Sequence, residues 1–449
     1  MSGAARSTVG ASAVQARRRI VTGALAAAAL GAASVAAPAL GQTKRPLRFA
    51  WWGGNARHQA TLKAIAAFES LNPGVNVKAE YMGFGGYLER LTTQIAGGSE
   101  PDVMQINWAW LAMFSRRGRG FTDLAPFKPL LALDQFDADE VQSGVVHGHL
   151  NAMPVSYTAR VLLWNAATFE RLGLALPASW DDVFAAGPVF RARLGDRAFP
   201  LDGELYDMIL LTQAYMHQRH GTPYIDPARS QVAMSPAIAV EWVQLYRRIV
   251  DQHVATPLKL RASLGGAEKP TEQQPDWVVG NWAGNYTWDS VIGLRTSTLD
   301  KRQRLALGAF PTLPQARNSG MFGRPALMFA VGRNSKQPEL AARLVAFLTS
   351  DVRAAEHLGR TRGVPSARGP FERLVREQRL PPLELQAYEQ IRAQRQAGRI
   401  DLPSPLLEHA RIQKFLREVF ETVAYGKTTD EQAARRLVDE GNALLRRFR

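Results

Sequence analysis

The sequence predicts an α/β protein of two lobes, each a sheet flanked by helices. Three observations carry this expectation. The chain has 449 residues, more than one hydrophobic core usually supports. From residue 45 onward, short apolar runs alternate with amphipathic stretches, the pattern of strands joined by helices. After a proline-punctuated stretch, a second series of the same kind begins at "ARVLLWN".

The N-terminal stretch "ARRRIVTGALAAAALGAASVAAPALGQT" reads as a leader to be removed, with a basic start, an alanine-rich apolar middle and small residues at its end. Ala39-Leu40-Gly41 before Gln42 sets the expected cleavage point, so residues 1–41 are assigned to a signal peptide and the mature chain to the periplasm. Arg17-Arg18 resembles a twin-arginine export signal, with the general secretory route as the alternative. A membrane anchor over Ile20–Ala37 is the rival reading, but that stretch is barely long enough to span.

The mature chain opens with "PLRFAWWGG", a buried strand ending in glycines. "RHQATLKAIAAFESLNPG" follows as a helix, with Leu62, Ile65, Ala66 and Phe68 at helical spacing and Asn72-Pro73-Gly74 as its stop. "VNVKAEYM" is the second strand, "YLERLTTQIAGG" the second helix and "PDVMQIN" the third strand, an alternation that argues for a parallel sheet. Further on, Ser179 with Asp182 and Ser235 with Pro236 mark helix starts. "WVVGNW" is another buried strand, "SKQPELAARLVAFLTS" a helix, and a polar helical tail ends in a helix starting at Thr429 with Gln432 as its partner.

Composition excludes several chemistries. There is no cysteine, hence no disulfide, thiolate metal site or cysteine nucleophile. The 55 basic and 40 acidic residues give a net charge of +15; removing the four arginines of residues 1–41, where no acid stands, leaves +11. Such a balance suits an anionic ligand, anionic membrane or nucleic acid. The basic residues are scattered rather than clustered, and export removes genomic DNA as a partner, so no nucleic-acid role is assigned. "YGKTT" lacks the first glycine of a phosphate loop, since Glu421 stands there. The histidine pairs 147/149 and 217/220 lack a third ligand. No cofactor and no metal is expected.

In parallel α/β sheets, ligands bind beyond the carboxyl ends of the strands. "WWGGNARHQ", "GFGG" and "NWAW" occupy three consecutive strand ends. Glycine permits close backbone approach, and tryptophan offers a flat apolar face suited to a sugar ring.

"LRFAWWGG", "AAFESLNPGVNVKAEY", "YLERLTTQIAGGSEPDVMQIN", "LLWNAATFERLGLALPASWDDVFAAG" and "NSKQPELAARLVAFLTS" resemble the extracellular solute-binding proteins of sugar ABC importers, over about residues 43 to 449. The resemblance implies the two-lobed periplasmic binding protein fold (type II), with a sugar held between lobes that close about a hinge. It places lobe one at 43–153 and 309–350, and lobe two at 154–308 and 351–449. It implies an oligosaccharide ligand, ABC importer permease subunits in the inner membrane as partners, a monomer, and no catalysis. "WWGGNARHQ", "TTQIAGGSEPDVMQINW" and the basic charge look most similar to binders of oligogalacturonides, the acidic fragments of pectin. An exported polysaccharide lyase or glycoside hydrolase is the alternative; it requires a positioned acid and base that the sequence does not pair.

Candidate residues follow. Trp51 and Trp52 point to opposite faces of a strand; Trp52 is expected to face the ligand and Trp51 the core, with both in the core as the rival. Asn55, Arg57 and His58 sit at the strand-to-helix turn. Arg57 suits a two-pronged grip on a uronate carboxylate, or else is a solvated first-turn residue; His58 binds ligand or bonds locally. Asn107, Trp108 and Trp110 are ligand residues by the resemblance, with one of the two tryptophans open to burial by its neighbours. In lobe two, Tyr157 and Arg160 lie at the crossover and Trp282, Asn285 and Trp288 follow in "GNWAGNYTW". Trp282 is implied to stack on sugar, and Trp288 is expected within a helix. Arg324 is placed to meet an acidic group, or lies plainly on the surface.

Overall fold

The structure, a computed structural model, describes residues 44–448; the expected leader and its cleavage point lie outside them. Its main sheet has seven strands: β1 (Arg45–Trp52), β2 (Val75–Met82), β3 (Val103–Asn107), β4 (Ala152–Asn165), β5 (Gly284–Trp288), β6 (Leu305–Leu307) and β7 (Gly323–Val331). The order is β6-β4-β7-β3-β1-β2, with β5 paired to β4 as well. β1 runs parallel to both β2 and β3, as the alternation demands. Helices α1 (Asn55–Leu71) and α2 (Tyr87–Ala96) make the two crossovers.

The second half differs from the expected parallel sheet. β5 and β6 both pair antiparallel to β4, and parallel pairing survives there as single bridges such as Phe199 to Trp282 and Asp202 to Asn285. The fourteen-residue β4 joins the halves. Residues 152–159 pair with β7, which continues onto β3; residues 160–165 pair with β5 and β6.

Apolar packing defines the lobes. Along β1, Phe49 and Trp51 enter a core with Phe68, Phe329 and Leu344, whereas Ala50 and Trp52 enter the opposite one with Tyr87, Met104 and Ile106. Side-chain alternation along a strand produces this division. A third and larger core holds Trp164, Phe190, Trp242, Trp277, Trp282 and Phe420. Ala354, Leu358 and Ala367 pack in the first core. Phe310, Met321 and Phe322 belong to the large core. The expected capping pairs form at Ser179/Asp182 and Thr429/Gln432. Among the described residues no helix is long and apolar enough to cross a membrane.

Candidate functional site

The tips of β1, β2 and β3 hold a cluster of rings on one face of the sheet. Trp52 lies 5.0 Å from Tyr87, 5.1 Å from Trp110 and 5.7 Å from Phe84, centroid to centroid. Trp52 is nearly buried, Trp110 half-buried, and Phe84 is 64% exposed. Gly86, at φ +80°, makes the turn from Phe84 into α2. The Tyr87 hydroxyl donates to the carbonyls of Gln105 and Ala50 at 2.9 and 3.2 Å, which fixes the base of the cluster. Trp52 thus packs beneath Phe84 instead of presenting a bare face.

On the other face, Trp51 is fully buried and its Nε1 donates to Nδ1 of His58 at 3.1 Å. Tyr81 stacks on both rings, 5.0 Å from Trp51 and 4.5 Å from His58. Burial and then the nearby Arg57 and Arg362 charges hold the His58 pKa below its ordinary value. A neutral imidazole accepting from Trp51 is a positioning role, so His58 bonds locally. Arg57 donates from Nη1 to the Trp52 carbonyl (3.0 Å) and from Nε to the Thr361 carbonyl (2.8 Å). A side chain on Gly53 would strike the Arg57 stem at 2.5 Å, so that glycine is what lets the arginine fold back over the strand end. Burial lowers the Arg57 pKa, and no carboxylate pairs with it among the described residues. Asn55 is exposed at the first residue of α1.

The remaining lobe-one residues divide. Trp108 is 4% exposed, with Nε1 donating to the Ser143 carbonyl at 3.2 Å; it belongs to the core, and Trp110 is the tryptophan near the surface. Asn107 accepts from the Ala109 amide at 3.0 Å, holding the turn into the short helix Trp110–Phe114.

In lobe two, several of the expected residues lie buried. Trp282 has no exposed surface, and its Nε1 donates to the Arg197 carbonyl at 3.2 Å. A ring enclosed on both faces cannot stack on a sugar in this conformation. Asn285 is equally buried, bonding to the Asp202 carbonyl and accepting from Arg295. Trp288 ends strand β5 rather than lying in a helix. It is half-buried between two guanidiniums, Arg160 at 4.7 Å and Arg324 at 4.9 Å. Neither arginine is a free surface residue: Arg160 pairs with Asp207 at 2.6 Å and Arg324 with Glu408 at 2.5 Å. Tyr157 lies under the Arg395 guanidinium, 4.2 Å from its ring centre. Arg395 in turn pairs with Asp139 and Glu140 of lobe one, so this contact bridges the lobes beside the crossover strand. Among the described residues, no group of three histidines or acids could hold a metal.

Residues 54–354 match the family of bacterial extracellular solute-binding proteins. The chain belongs to that family. Among solved structures, this solute-binding protein is similar to a periplasmic oligogalacturonide binding protein from Yersinia enterocolitica, at 38% identity over 90% of this chain and 100% of the other, with a TM-score of 0.82. A structure of such a protein in complex with saturated digalacturonic acid superposes with a TM-score of 0.77, at 38% identity over 90% and 99%. A de novo designed cysteine esterase superposes at 0.86, with 38% identity over 91% and 100%; this chain has no cysteine to supply such a nucleophile. A putative binding protein of Brucella abortus is 26% identical over 202 residues, 42% of this chain. The match spans less than half, 46%, of that relative's length.

Phe84, Tyr81, Gln105 and Arg362 of this solute-binding protein also gather at the strand tips, and the sequence did not single them out. The "GFGG" turn signalled a strand end, and Phe84 was the aromatic within it. Nothing local marks Arg362, which reaches the strand tips from a loop more than 250 residues away, where Nε donates to Oε1 of Gln105 at 2.7 Å.

Proposed function

We propose that this protein captures an acidic oligosaccharide, a pectin-derived oligogalacturonide, in the periplasm and delivers it to the permease subunits of an ABC importer. The carrying observation is the tip of lobe one, where the exposed Phe84 ring and the half-buried Trp110, both packed on the buried Trp52, adjoin Arg57, a cation without an acidic partner among the described residues. Apolar sugar faces stack on such rings, and a guanidinium meets a carboxylate with two parallel hydrogen bonds. The oligogalacturonide and digalacturonic acid bound by the Yersinia relatives agree with this pairing. Ligand touching both lobes favours the closed form by its differential affinity, and closure gives the importer a surface to distinguish. The protein acts as a monomer and breaks no bond. Removal of the leader at Gly41/Gln42 releases it into the periplasm.

The test is calorimetry with digalacturonic acid beside a neutral glucan of equal length. Saturable binding of the acid and weak or absent binding of the glucan is the expected result. Absence of heat with every oligosaccharide overturns the reading, and release of reducing ends from polygalacturonate restores the enzyme alternative.

A further inference from the structure

Five arginines are buried among the described residues: Arg160, Arg261, Arg324, Arg362 and Arg395. Four sit against a carboxylate. Arg160 meets Asp207 at 2.6 Å, Arg261 meets Asp202 at 2.6 Å, Arg324 meets Glu408 at 2.5 Å, and Arg395 meets Glu140. Arg362 meets none. It is 6% exposed, its Nε is spent on Gln105, and both Nη1 and Nη2 are buried without an acceptor. The Phe329 ring, 5.5 Å away, is its one other favourable contact for charge. The next cation, Arg57, opposes it, and burial together with that repulsion pushes the Arg362 pKa down to about 9. A buried charge left unpaired is strongly unfavourable, and unsatisfied buried groups point to a water or an ion.

Arg362 is among the residues that line a small cavity of about 30 Å³, with Val155, Leu348, Thr349, Leu358 and Thr361. No acidic residue lines it. The space suits one or two waters, or a single halide ion. The loop that forms its wall is fixed rather than adaptable. Ser156 Oγ donates to the Arg362 carbonyl at 2.6 Å, and Arg57 holds the Thr361 carbonyl.

We propose that the cavity beside Arg362 is an anion site, in which a monovalent anion accepts hydrogen bonds from Nη1 and Nη2. The guanidinium lies behind the aromatic platform, joined to it through Gln105, whose Nε2 donates to the Trp52 carbonyl at 3.3 Å. Its occupant supplies the counter-charge that the other four buried arginines obtain from acidic side chains. A halide from solution and the carboxylate of a bound uronate share this chemistry, and the experiment distinguishes them.

The mature protein is melted in sodium chloride or bromide against sodium gluconate, a bulkier anion, at equal ionic strength and without sugar. A rise in Tm of several degrees with halide is expected, by preferential binding to the folded state. Arg362→Met should lose the halide dependence, whereas Arg362→Lys should retain part of it. A bromide-soaked crystal should show an anomalous peak beside the guanidinium, a readout that survives even if Arg362→Met fails to fold. In halide-free buffer, digalacturonic acid with a carboxylate oxygen on Nη1 or Nη2 would also establish the anion site, with the sugar as its source. Equal Tm in halide and gluconate, with water in the cavity and no sugar oxygen on Arg362, overturns the proposal. That outcome leaves binding at the platform untouched.

Discussion

The two lobes treat the same kinds of side chain in opposite ways. In lobe one, rings gather at the strand tips, with Phe84 and Tyr81 exposed, and Arg57 and Arg362 have no acidic partner. In lobe two, Trp277 and Trp282 are sealed in the core, and Arg160, Arg261, Arg295 and Arg324 are each neutralised by a carboxylate. The proposed acidic ligand would therefore find unpaired buried cations in lobe one. Lobe two offers a neutral wall in which Trp288 is clamped between paired arginines. Under the proposed function, charge and stacking would come from lobe one, while the tryptophans of the large core stay enclosed.

The largest effect that separates the lobes is on stability. Trp282→Ala empties a fully buried site in the large core and strips the Arg197 carbonyl of its donor. It should destabilise the protein by about 3–5 kcal/mol in urea unfolding, with Kd for digalacturonic acid unchanged within about threefold wherever the variant is folded. A large loss of affinity in a stable variant would return Trp282 to the ligand site.

Arg57→Gln probes the charge of lobe one. Loss of a charge-assisted bond to a carboxylate removes about 1.5–3 kcal/mol of binding, so Kd for digalacturonic acid should rise by roughly 10- to 100-fold. Kd for its neutral methyl ester should change far less. Because Arg57 also ties Trp52 to Thr361, an equal loss for both sugars would reveal a purely structural strut. The difference should shrink as salt is raised.

How much of this was legible in the sequence follows the same division. The parallel core of lobe one was readable because apolar runs and glycine-terminated helices are local signals, and the faces of Trp51 and Trp52 follow from strand alternation. Lobe two was less readable. "GNWAGNYTW" looks like another glycine-and-tryptophan tip, yet Trp282 and Asn285 turn inward because residues 199–202 bridge to them. The pairing of Arg160 with Asp207 and Arg324 with Glu408, and the reach of Arg362, depend on contacts 47 to 257 residues apart along the chain that no window reveals.

Beside the crossover strand lies a buried carboxylate, Asp289. Asp289 accepts from the Thr158 hydroxyl and the Ala159 amide of the crossover strand, with no cation beside it, and burial pushes its pKa up to about 6. A carboxyl raised in the folded state favours folding when protonated. Its contribution is full below about pH 4 and is lost as pH rises through 6. Asp289→Asn should therefore gain stability relative to the parent between pH 4 and 7, by at most about 3 kcal/mol, and then level off. Urea midpoints across that range measure it, and a difference constant with pH would mean that Asp289 titrates normally.

The smallest effect concerns the outermost ring. Phe84 is 64% exposed and rests on Trp52 at 5.7 Å, so truncation opens no cavity and Phe84→Ala should alter stability by less than about 0.5 kcal/mol. An aromatic contact with a sugar face contributes about 0.5–1.5 kcal/mol, which predicts a two- to tenfold weakening of oligogalacturonide binding by calorimetry. The same weakening should appear for a neutral ligand that uses the platform, since a ring face carries no preference for the uronate charge. Phe84→Ala and Arg57→Gln thus separate stacking from charge within lobe one. Undiminished affinity in Phe84→Ala would place the sugar elsewhere, against Trp110 or the Tyr81–His58 pair on the opposite face of β1.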